Sequence, residues 1–356
     1  MELSRAVPSD PDLHQALKDL SARKTLTEGG YEALAGECQG ALALTQDAYR
    51  DLLGYALKRF DSSLRPLPQG TARAHDVQRA VTAPWMTEHF RREELLSSVT
   101  RCMSDMGLPP HAEGRILLDA EDRPGKSPRS FVAALKVPDD VRVVVRPASG
   151  MGEFAALLHQ FGLAQQLSNS SRAASVEDRW LSDPSILEGF AYVFDHLLMD
   201  PAWLKRYLRL PQSAARDASR FSAFAELYRL RRVCAHLMFE MSLYARGPVR
   251  PLAEECQERL NSALLVEVPR QTYLFEVQPR LWVSRQLVGR ALEAPLHAYL
   301  RERFNEDYWR NPAAGRWLKE FAAAGLTDTR AVSRKFKLEA LPLASAGERL
   351  VQVLNA

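Results

Sequence analysis

The sequence predicts a mainly α-helical protein with one small patch of β-sheet. Two observations carry the helical part. Apolar residues recur three and four positions apart along most of the 356 residues, and Asp183-Pro184, Asp200-Pro201 and Asn311-Pro312 each read as a capping residue followed by proline at the first helical position. The third observation is the run Val141-Arg142-Val143-Val144-Val145-Arg146. It is β-branched and bounded by prolines, and it reads as the best strand in the chain.

The elements follow in order. Leu13, Leu17 and Leu20 repeat at helical spacing, and Tyr49, Leu52, Leu53 and Leu57 carry the same period through a helical stretch over 31–60. Arg65-Pro66-Leu67-Pro68-Gln69-Gly70 breaks it. Helix is expected again over 86–106. The chain changes character near residue 114, where Arg115-Ile116-Leu117-Leu118-Asp119 is a short strand-like run and 122–128 a loop. Gly150-Met151-Gly152 is a bend, too short and without the lysine of a phosphate loop. From Glu153, Phe154, Leu157, Leu158 and Phe161 restore the helical stripe. Further helices are expected after Pro184 and Pro201, then over 221–244, 251–265, 281–304 and 312–324. This order suggests an N-terminal helical region over 1–110 and a second region over 111–356, which one continuous two-lobed unit would also accommodate.

Composition narrows the functional classes. Forty-seven basic and 44 acidic side chains leave a net charge of +3. Without a basic block interleaved with aromatics, no nucleic-acid partner is expected. No apolar run reaches the roughly 18–20 residues that span a bilayer, so no membrane partner is expected. The N-terminus lacks the apolar core of a signal peptide. Cys38, Cys102, Cys234 and Cys256 show no C-x-x-C spacing and read as reduced thiols. A cytoplasmic location is the expectation.

The chemistry lies in Leu157-Leu158-His159-Gln160-Phe161-Gly162-Leu163. A zinc-peptidase helix reads H-E-x-x-H: two histidines four apart face one metal, and the glutamate deprotonates the bound water. Here His159 takes the first histidine position, Gln160 the glutamate position and Leu163 the second histidine position.

The surroundings resemble the oligoendopeptidase F and thimet oligopeptidase family of zinc metallopeptidases, of gluzincin type. The likeness rests on Arg123-Pro124-Gly125-Lys126-Ser127-Pro128, on Val137-Pro138-Asp139-Asp140-Val141 and on His159 with Phe161 and Gly162. Leu187-Glu188-Gly189-Phe190-Ala191, Asp200-Pro201-Ala202-Trp203-Leu204, Arg301-Glu302-Arg303-Phe304 and Tyr308-Trp309-Arg310-Asn311-Pro312 extend it. It spans roughly 45–325. The resemblance implies a zincin-like helical domain with a small β-sheet and a central cleft. It makes His159 and Glu188 the first and third zinc-ligand positions and Leu163 the lost second one. The family's cofactor is zinc. An amide at 160 has no basic lone pair, and losing a general base costs about 10²–10⁴-fold in rate. Two protein donors fall short of the three that a hydrolytic zinc needs. The family also places tyrosine or histidine late in the chain to stabilise the tetrahedral intermediate, and 275–282 contains neither.

The expected function is a catalytically defective peptidase homologue that binds a peptide or protein partner in the old cleft. No catalytic residue is intact and no metal is expected. Tyr273, His196 and Trp282 are candidate cleft residues, and the strand at 141–146 is expected to offer its edge to an extended peptide. Two other readings stay open: an enzyme with repurposed chemistry, drawing on His159, Glu188, His196 and Tyr273, and a residually active zinc-dependent oligopeptidase. His196 reads as a packing residue or a substitute ligand. His236 and Glu240 read as an i, i+4 contact or a metal pair. Trp180, Trp203, Trp309 and Trp317 are expected in the core.

Overall fold

An amphipathic helix is stable only against a partner that covers its apolar stripe, and the observed elements supply such partners. The computed structural model describes residues 30–61, 72–180, 183–249, 251–275, 277–278, 281–325, 329–336 and 342–355. The stripe of Leu13, Leu17 and Leu20, the break at Arg65-Pro66-Leu67-Pro68-Gln69-Gly70, and Glu276, Pro279 and Arg280 lie outside the described residues.

In chain order the elements are α1 (Gly30–Leu44), α2 (Gln46–Phe60), β1 (Ala72–Arg73), α3 (Ala74–Val81), α4 (Arg92–Asp105), β2 (Ile116–Asp119), β3 (Phe131–Lys136) and β4 (Asp140–Val144). Then come α5 (Met151–Ser168), α6 (Val176–Trp180), α7 (Pro184–Asp195), α8 (Pro201–Leu208), α9 (Gln212–Arg246), α10 (Pro251–Leu264) and β5 (Val266–Glu267). The chain closes with α11 (Val283–Phe304), α12 (Pro312–Ala323), α13 (Thr329–Phe336) and α14 (Leu343–Asn355). The architecture is mainly α with a small sheet. Among the described residues no helix is long and apolar enough to cross a membrane.

The chain forms two compact units. The first takes the described residues within Met1–Val81, Phe224–Val288 and Ala340–Ala356, and the second those within Thr82–Ala223 and Gly289–Glu339. The boundary expected at 110/111 falls inside the second unit, where α4 packs on α5 and α8.

The first unit centres on a buried arginine. Arg231 is 1% exposed and donates to the carbonyls of Ala263 (2.6 Å) and Leu42 (2.7 Å) and to Thr45 Oγ1 (2.7 Å), while its guanidinium lies 4.8 Å from the Tyr49 ring centre. A charge so deep is tolerated because oxygen acceptors replace its water. Strands β1 and β5 add a two-stranded parallel pair, Ala72 opposite Val266.

The second unit holds the three-stranded sheet, in the order β2-β4-β3. Strand β4 pairs in parallel with β2, Ile116 opposite Val141, and antiparallel with β3, Phe131 opposite Val144. Val141, Val143 and Val145 are fully buried and Arg142 is exposed, the alternation of a sheet with one covered face. Helix α5 packs on this sheet and on α7. The expected caps form: Asp183 accepts from the Ser185 N–H (2.8 Å), Asp200 from the Ala202 N–H (2.7 Å) and Asn311 from the Ala313 N–H (3.0 Å).

Three expectations are corrected. The strand at 141–146 is the middle strand, so both its edges are occupied, and β2 and β3 are the outer strands. The helix expected to begin at 221 begins at Gln212, since Ala215 and Ala218 continue its buried stripe. Trp180 is 45% exposed at the end of a five-residue helix, whereas Trp203 and Trp309 are core residues and Trp317 is half-buried.

Candidate functional site

In the second unit, α5 supplies His159 and α7 supplies its partners. Glu188, Tyr192 and Asp195 stand at i, i+4 and i+7, so one face of α7 carries two acids and an aromatic ring. The two helices meet closely because Gly162 lies against Ala191. A Cβ at 162 would sit 2.7 Å from the Ala191 Cα and 2.8 Å from Phe194 Cδ2. A second close approach brings in α11, where Gly289 lies against Gly189 and the Glu188 Cβ. Glu188 is thereby held on the middle helix of three.

His159 is clamped from both sides. Its Nδ1 lies 3.0 Å from Asp195 Oδ2 and its Nε2 lies 3.5 Å from Glu188 Oε2. Its ring centre is 5.3 Å from that of Tyr192, whose hydroxyl accepts from Arg290 Nη1 at 2.8 Å. All three clamp residues are largely buried. Burial alone would push the imidazole towards its neutral form. The two carboxylates outweigh it, Asp195 more than Glu188, and raise the pKa to about 10. At neutral pH His159 is therefore an imidazolium with a proton on each ring nitrogen.

His159 and Glu188 face each other at 3.5 Å, and Asp195 joins them although the sequence did not single it out. The available signal was spacing alone, since Asp195 is seven residues after Glu188 on the same helix face.

These residues do not fit a hydrolytic zinc ion. A hydrolytic zinc needs three protein donors, and the ligand positions here supply only two, His159 and Glu188. Leu163, half-buried one turn after His159, brings no donor, and Gln160 is a neutral amide. Among the described residues His159 and Glu188 gain no third donor within metal range.

His196 does not join this clamp. It caps the C-terminal end of α7, and its ring centre stands 3.7 Å from that of His297.

Tyr273 and Trp282 belong to the first unit. Tyr273 is half-buried and lines a cavity of about 350 Å³ with Tyr228, Arg232, His236, Cys256 and Phe275. Trp282 is 43% exposed, and the Arg285 guanidinium stacks 3.5 Å from its ring centre.

His236 lines the same cavity, whereas the Glu240 carboxylate turns to the Gln278 N–H (2.9 Å), and no third donor completes a metal pair there among the described residues. Burial pushes the Glu240 carboxyl up to about 7, against the pull of that N–H. Folded protein then keeps a proton that the unfolded chain releases above pH 4.5, so stability should fall as pH rises from about 4.5 to 7. Glu240→Gln should remove this part of the fall and stabilise the protein at pH 8 by roughly 3 kcal/mol. Urea midpoints at pH 5 and pH 8 measure both effects. A wild-type midpoint independent of pH would contradict the assignment.

No sequence-family model and no curated protein sequence matches this chain. Solved structures do. Pz peptidase A with a bound inhibitor superposes with a TM-score of 0.64 at 12% identity, covering 92% of this chain and 59% of that one. A carboxypeptidase from Pyrococcus furiosus gives 0.61 at 12%, over 97% and 69%. A chain assigned as oligoendopeptidase F gives 0.61 at 12%, over 92% and 58%. The fold is the mainly helical, zincin-like oligopeptidase fold. At these identities the likeness speaks for the fold alone, and the chain spans about three fifths of the length of Pz peptidase A.

Proposed function

We propose that this protein is a peptidase homologue of the oligoendopeptidase F type that has given up peptide hydrolysis and binds a peptide or protein partner. One observation carries the reading: His159, at the first zinc-ligand position, is held between Asp195 (3.0 Å) and Glu188 (3.5 Å), and among the described residues it and Glu188 gain no third metal donor. Beside it, Gln160 cannot take a proton from water and Leu163 cannot bind metal. Tyr273 and Trp282 remain candidate binding residues of the first unit, whereas His196 is buried in the second.

Partner binding is supported by the outer strand β3. Its Phe131 and Leu135 are 42% and 56% exposed, and an outer strand offers backbone groups to an extended peptide. Four buried free thiols support a reducing, cytoplasmic setting.

The reading is tested by cleavage and metal content together. Wild-type protein supplied with zinc should cleave no member of a broad peptide library. The double substitution Gln160→Glu with Leu163→His should bind one zinc more than the wild type and gain chelator-sensitive cleavage. Wild-type cleavage that disappears with chelator and with Glu188→Gln would overturn the proposal in favour of a residually active peptidase.

A further inference from the structure

A second cluster in the same unit has the donors that the His159 clamp lacks. His196, Glu293 and His297 are 8%, 1% and 4% exposed, and one ligand atom from each lies within 4.8 Å of the others. Glu293 and His297 are i and i+4 on α11, so they project from one face of that helix. His196 reaches them from the end of α7. The geometry points to a buried binding site for one divalent transition-metal ion, with zinc as the best-matched ion.

Three arguments support it. Two imidazoles and a carboxylate form a donor set that suits zinc, with a fourth position left for water. Donors sharing one zinc at about 2.0–2.1 Å lie roughly 3–4 Å apart, so small side-chain rotations close this set. Proximity gives the second argument. The two imidazole rings have centres 3.7 Å apart, so both stand within reach of one ion beside Glu293. The Tyr308 ring stands edge-on to His297 at 5.7 Å and closes the site on that side.

The third argument is mechanical. Pro295 lies between the two α11 donors and has no N–H for the carbonyl of Ala291. An ion bridging Glu293 and His297 would clamp the turn that overlaps this missing bond, and through His196 it would pin α7 to α11. The role is structural, since the site is enclosed. It is independent of the proposal above, which concerns His159 and Glu188.

Protein stripped with chelator and titrated with Co²⁺ should bind one equivalent, with the visible absorbance of a low-coordinate cobalt site. Glu293→Gln should weaken binding about 100-fold or more, and Glu188→Gln should leave it unchanged. His297→Cys should keep the ion and add a thiolate-to-cobalt charge-transfer band, which identifies the ligand even if other variants fold poorly. Added Zn²⁺ should raise the melting temperature of stripped wild-type protein. Wild-type protein that takes up neither ion would overturn the inference and leave a buried histidine–glutamate–histidine cluster without a metal role. Binding lost in Glu188→Gln but kept in Glu293→Gln would overturn it as well.

Discussion

Replacing His159 with glutamine is expected to lower stability by about 3–5 kcal/mol near pH 6, because it leaves two buried carboxylates without the cation between them. The pH dependence gives the test its sign. The imidazole holds its proton to about pH 10 in the folded state against 6.5 in the unfolded chain. Its contribution is whole below about pH 6.5 and fades as the pH rises to about 10. Urea denaturation of wild type and variant should therefore show a gap that is widest near pH 6 and narrows steadily in alkali. A gap that ignores pH, or a neutral substitution, would show that the clamp is not an ion pair.

The same state of His159 controls what the site can do. In that state the ring offers protons to an anionic or carbonyl group, and a metal would have to displace one of them to be ligated. Proton NMR reads this directly: the ring signals of His159 should stay in the protonated position from pH 6 to pH 8. Titration near pH 6.5 would mean that the ring is free to bind an ion at neutral pH.

What could be read from the sequence was local. Asp183, Asp200 and Asn311 each cap a helix through bonds to residues two or three positions ahead, and such bonds leave a mark within a few letters. The buried stripe of α5 was legible for the same reason. What the sequence hid was pairing over distance. Strand β4 carries the strongest strand signal, yet nothing within it says that β3 covers one edge and β2 the other. Strand β3 itself, Phe131-Val132-Ala133-Ala134-Leu135-Lys136, mixes strand-forming residues with alanines and leucine that suit a helix equally. At the site, the meeting of His159 with Glu188 followed from the family likeness, whereas Asp195 needed the helix to run unbroken to its seventh following residue. The spacing of Glu293 and His297 was present in the sequence, but only the fold brings His196 to them. Trp180 shows the converse: a large apolar side chain predicts burial on average, and a five-residue helix gives it little to pack against.

Gly162→Ala is expected to destabilise the protein by about 2–4 kcal/mol, lowering the melting temperature by roughly 5–10 °C. On a solvent-facing helix the same change would stabilise by about 1 kcal/mol, because alanine is the better helix former. The sign of the result therefore separates the two environments. At 162 the added carbon meets the Ala191 Cα at 2.7 Å and Phe194 Cδ2 at 2.8 Å. The phenyl ring can turn aside, but the Cα can move only if α7 moves with it. His159 sits three residues before Gly162, and Glu188 three residues before Ala191. A wedge between the helices thus opens the clamp as well as the core. As Glu188 and Asp195 withdraw, the His159 pKa should fall from about 10 towards 6.5. A variant that melts higher than wild type and leaves His159 protonated at pH 8 would refute the close packing of α5 on α7, and with it the reason the imidazole is held between two acids.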